Sequence, residues 1–146
     1  MFGLFHWRHR RLAAAPKAEC PLCDGVLLQQ ARELIEAGYH VGAVATARCD
    51  LETRFKHAAV SVHAIVGGEW KPSWHTHSTA NFLHPSGLLT LSQARRVSAA
   101  LARAGGMVHN AGKCNCLKAR WMVAEAEAIA GLLQAAMQRG LASNAA

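Results

Sequence analysis

One short segment, Arg103 to Cys116, holds the densest set of reactive residue types in the 146-residue chain. Within it, Arg103-Ala-Gly-Gly-Met-Val-His109 sets a permanent cation six positions before a titratable base. On an unbroken helix that spacing turns the two side chains about 120° apart. Gly105-Gly106 is expected to interrupt the helix and swing His109 back towards Arg103. So placed, the pair suits phosphodiester chemistry. A histidine can take the proton of an attacking 2′-hydroxyl or protonate the leaving oxygen. An arginine stabilises the charge that builds on the phosphate. RNA carries its own nucleophile, so the cleavage needs no metal or other cofactor. The plainer alternative has Arg103 capping the end of its helix and His109 as an ordinary residue between helices.

The cysteines offer a second chemistry. Cys20-Pro-Leu-Cys23 has the form of half a zinc knuckle, and Cys114-Asn-Cys116 could supply the other half of a structural zinc site. In an up-down bundle the first helix begins at one end and the last at the other, so about 15-residue helices would hold the pairs some 20 Å apart. Joining them within one chain needs a crossover, a folded-back arm or a dimer. Cys49 is expected to be buried as a small apolar side chain. A third candidate is Trp74-His75-Thr76-His77, which with His84 or His63 would make a three-histidine site with an open position. Against it stands an exposed loop whose Trp70 and Trp74 pack on the bundle or stack on bases.

The elements that must position these groups read as helical. One stretch starts after Asp24 and carries Val26, Leu27, Ala31, Leu34 and Ile35 before Gly38. A second shows Val41, Val44, Leu51, Phe55 and Ala58, with Arg48, Glu52 and Lys56 spaced for i,i+4 pairing. Between about 62 and 88 the periodicity fails among Gly67, Gly68, Pro72 and Pro85. The run Ala58 to Val66 that leads into it either extends the second helix or forms a strand. A third helix opens at Thr90 or Ser92, with Thr90 and Gln93 fitting a capping box, and shows Ala94, Val97, Leu101 and Ala104. A fourth runs from about 117 to 138, with Trp121, Ala124, Ala128, Ile129 and Leu132 on one face and Gly140 as its stop. The expected fold is all-α, a four- to five-helix up-down bundle with a long irregular loop between the second and third helices. The expected organisation is a basic arm over 1–19, a bundle domain over 20–139 and a frayed end over 140–146.

The run Ala31-Arg-Glu-Leu-Ile-Glu-Ala-Gly-Tyr-His, followed by Ala45-Thr-Ala-Arg-Cys-Asp-Leu-Glu52, resembles the first two helices of HEPN domains. Arg103 to His109 is similar to that superfamily's Arg-(four to six residues)-His motif at the end of the third helix. Together the resemblance covers about residues 24–138. It implies a small helical bundle that usually forms a homodimer, bringing two Arg/His motifs into one cleft. It further implies an endoribonuclease in active members and a binding module in inactive ones. Active members usually carry a polar residue directly after the arginine, where this chain has Ala104.

Bulk composition narrows the partners. Sixteen lysines and arginines against nine acids give +7, a pI near 9.7 and a mean hydropathy of +0.07. An RNA partner fits that charge, with Arg8, Arg10, Arg11 and Arg48 as candidate phosphate contacts. No apolar run approaches the roughly 18 residues of a membrane span. The first residues lack the apolar core of a secretory signal, so a cytoplasmic location and free or metal-bound thiols are expected. A catalytically silent module binding nucleic acid or protein has the same composition. The sequence names no partner protein or antitoxin.

Overall fold

The computed structural model describes residues 25–145. They form an all-α bundle of five helices: α1 (Val26–Glu36), α2 (His40–Val66), α3 (Thr76–Leu83), α4 (Leu91–His109) and α5 (Cys116–Ala145). The arginines expected at 8, 10 and 11, the cysteines Cys20 and Cys23, and Asp24 lie outside the described residues.

α1 and α2 make a tight helical hairpin. Gly38 takes φ +84°, the left-handed region that glycine enters without penalty, and the amide of Tyr39 returns to the Leu34 carbonyl at 2.8 Å. The expected stripe of α2 is largely inside: Val44, Leu51, Phe55 and Ala58 are buried. So is Asp50, which Arg54 holds through two hydrogen bonds of 2.6 and 3.3 Å. A buried carboxylate needs such a partner.

The run after Ala58 continues α2 to Val66, and no described residue is in a strand. The region expected to be irregular contains α3. Its Thr76, Thr79, Ala80 and Leu83 are buried, so packing rather than local propensity stabilises so short a helix. Trp70 anchors the approach to it: the indole is buried, donates to Thr79 Oγ1 at 3.3 Å and stacks against Phe82.

α4 opens with the expected capping box, in which Thr90 Oγ1 accepts from the Gln93 amide and the Gln93 side chain accepts from the Thr90 amide. The diglycine does not break it. α4 continues through Gly105 and Gly106 to His109, because Ala104 on one side and Met107 and Val108 on the other pack on the core. Likewise Gly140 does not stop α5, which runs on to Ala145.

The buried face of α5 is also not the expected one. Ile129 is inside, together with Ala119, Met122, Val123, Ala126, Ala130 and Leu133, whereas Trp121, Ala124 and Ala128 are exposed. Salt bridges fix the packing directions. Glu36 and Arg32 of α1 pair with Arg120 and Glu127 of α5, and Arg96 of α4 pairs with Glu125. Going forward on α1 means going back on α5, and Arg103 of α4 likewise lies over Trp121, four residues before Glu125, so α1 and α4 run antiparallel to α5. No helix among the described residues is long and apolar enough to cross a membrane.

Candidate nucleic-acid interface

Because α4 is continuous, Arg103 and His109 project about 120° apart on it. Arg103 faces α5: its guanidinium lies 5.0 Å from the centroid of the Trp121 ring, a cation–π contact. The Trp121 residue is 39% exposed, so it remains open to a further ligand. Arg103 also adds to the positive field on Glu125. That carboxyl is held below its ordinary range chiefly by the hydrogen bonds from Arg96, with burial opposing and Coulombic attraction to Arg96 and Arg103 assisting. Ala104 is fully buried, so a polar side chain there would be desolvated in the core.

His109 is exposed at the C-terminal end of α4. It belongs to the row Ser98, Ala102, Gly105 and His109, which share one side of the helix and face away from Trp121. The arginine on that side is Arg48 of α2. Its Nε donates to Glu52 at 2.9 Å, and its Nη1 lies only 3.3 Å from where a Cβ on Gly105 would stand. The absence of a side chain at 105 thus gives a guanidinium room against α4, one turn before His109. Helical side chains lean towards the N-terminus, which tilts His109 towards that point. The structure therefore keeps Arg103 and His109 apart within one chain and places Arg48 on the histidine's side of α4.

Between α4 and α5 the chain makes a short 3-10 turn, Ala111–Lys113. The Lys118 ammonium donates to the Lys113 carbonyl at 2.8 Å, closing the corner. Arg103, Lys113 and Lys118 form no salt bridge among the described residues, so the corner has uncompensated positive charge beside an exposed indole. Sequence reasoning missed Trp121, Lys113 and Lys118. The signal that could have found them is an aromatic within a basic run at a helix N-terminus.

Cys114 and Cys116 sit at this corner, partly buried. Burial pushes the Cys114 thiol up and Lys118 pulls it back less, so the thiolate a metal requires is disfavoured there without one. Since α1 runs antiparallel to α5, Gly25 stands at the far end of the bundle from Cys116, about 16 Å or more along α1. Cys49, expected to be buried, is exposed on α2, because the inward arc there is filled by Ala47, Asp50 and Leu51.

The loop histidines do not converge. His63 Nε2 bonds the Gly68 carbonyl, His84 Nδ1 bonds that of Leu89, and His77 lies between Ser98 and Asn81. Among the described residues no group of three or more His, Cys, Asp or Glu is placed to hold a metal. Comparison with known proteins brought no match, whether to a family model, a curated protein or a solved structure.

Proposed function

We propose that this chain is a HEPN-like helical module that binds single-stranded RNA at the α4–α5 corner. The observation that carries the reading is the Arg103 guanidinium over the exposed Trp121 ring, flanked by Lys113 and Lys118. An exposed indole offers a stacking surface for any base, and the cations attract the phosphates that follow it. Anisotropy with a labelled single-stranded RNA tests this. Trp121→Ala should weaken binding by about tenfold, the loss of one stacked base. Equal affinity of parent and variant, or no affinity in the parent, overturns the reading.

A second reading, metal-independent cleavage, is favoured by the exposure of both Arg103 and His109. Within one chain they face different ways, so the cleft must come from a homodimer in which Arg103 of one copy meets His109 of the other. It requires cleavage that persists with a chelator and vanishes in His109→Ala, and RNA left intact by the parent sinks it. A structural zinc on Cys20, Cys23, Cys114 and Cys116 would have to join this corner of one copy to the N-terminal arm of another, because Cys23 is two residues, about 7 Å at most, from Gly25. Metal analysis of the purified full chain decides that point.

A further inference from the structure

A cleft of about 530 Å³ opens where α2, the segment before α3, and α4 meet, on the side of α4 away from Trp121. That is a usual size for a small-molecule site. We propose that it binds the terminal phosphate of a nucleotide, with the base against Trp74.

Its lining is rich in donors. Arg48 and Lys56 bring two permanent cations from α2, and the one carboxylate lining the cleft, Glu52, is already paired with Arg48. Nε of Arg48 is used in that pair, which leaves its Nη groups, held near Gly105, for a ligand. His75 stands at the N-cap of α3 with no side chain capping the helix, so the first-turn amides of α3 present unpaired donors beside the cleft.

Two hydroxyls add to these. Thr76 lines the cleft and is only 5% exposed, yet its hydroxyl has no hydrogen-bond partner among the described residues. No side-chain oxygen or nitrogen of the described residues is both sealed from solvent and unpaired, so this hydroxyl opens to the cleft, where a ligand oxygen can accept from it. The Ser98 hydroxyl is freed by its neighbours. Asn81 Nδ2 donates to His77 Nε2 at 3.3 Å, which makes Nδ1 the protonated nitrogen, and Nδ1 donates to Ser98 Oγ at 2.8 Å. With its oxygen accepting, Ser98 keeps its own proton to give.

These donors outnumber what the two oxygens of a carboxylate can accept, and they suit the three terminal oxygens of a phosphate monoester. Inorganic phosphate would leave most of the volume empty. Trp74, half-buried on the same wall, supplies the apolar surface that a flat base covers. The proposal holds whether or not the α4–α5 corner binds RNA.

Calorimetric titration of the full chain with AMP, adenosine and inorganic phosphate tests it. AMP should bind, and adenosine should bind on the order of tenfold or more weakly, the value of a charge-assisted hydrogen bond. Lys56→Ala and Arg48→Ala should each weaken AMP by a similar factor, whereas Gly106→Ala, whose added Cβ meets nothing, should not. Lys56 is exposed and forms no salt bridge among the described residues, so its variant decides the matter even if Arg48→Ala folds poorly. Adenosine binding as well as AMP, or Lys56→Ala binding AMP like the parent, overturns the proposal. A 5′-phosphorylated oligonucleotide that binds more tightly than both AMP and its 5′-hydroxyl counterpart identifies the strand end as the source. Equal affinity for the phosphorylated strand and AMP identifies the free nucleotide.

Discussion

Glu125 is the acid that most directly ties α5 to α4. Its carboxyl takes both Arg96 hydrogen bonds, at 2.6 and 2.8 Å, and its pKa is depressed in the folded chain for that reason first. A depressed carboxyl contributes stability that is present above its unfolded value and lost as pH falls through the folded one. Arg96 is about half exposed, so solvent screening limits the pair to roughly 0.5 kcal/mol at neutral pH. Urea unfolding of Arg96→Gln should therefore show a deficit of that order at pH 7 that shrinks as the pH falls through the lowered folded-state pKa of Glu125. A deficit independent of pH would mean that Arg96 acts by packing its stem rather than through its charge.

At the scale of elements, the diglycine of α4 gives the clearest test of what holds a helix together. Each glycine costs a helix interior about 0.5–1 kcal/mol relative to alanine. Packing on both sides overrides that cost and keeps α4 whole. Gly106→Ala, with open space at the new methyl, should raise the unfolding free energy by about 0.5–1 kcal/mol. Gly105→Ala should gain less, because its Cβ would meet Arg48 Nη1 at 3.3 Å. Equal gains in thermal unfolding would mean that Arg48 moves away freely. The same contrast explains what was legible in the sequence. Gly38, the α2 stripe and the Thr90–Gln93 box are local signals, and each stands where the pattern puts it. The face of α5 was not legible, since buried Ala119, Ala126 and Ala130 and exposed Ala124 and Ala128 are the same residue type. Nor was α3, which is shorter than the window that periodicity needs and is stabilised by tertiary contacts. For the site, the reactive residues were visible but not their partners. Arg48 approaches Gly105 from another helix, and Trp121 meets Arg103 the same way.

At the scale of the whole molecule, the question is where the +7 resides. Five acids, Glu36, Asp50, Glu52, Glu125 and Glu127, are spent in salt bridges within or between helices. The excess cations therefore emerge where no acid faces them, and the α4–α5 corner is such a place. If RNA phosphates lie there, binding releases counterions and the affinity falls with salt. The logarithmic slope is about 0.7 per phosphate neutralised on a single strand. Lys113→Ala and Lys118→Ala should then each weaken RNA binding and flatten the slope by about 0.7. Arg139 is an exposed cation of the same helix roughly 30 Å along α5 from Lys118, so Arg139→Ala should leave the slope as it is. Equal flattening by all three variants would mean that RNA is held by net charge alone, and that the corner has no privileged part in it.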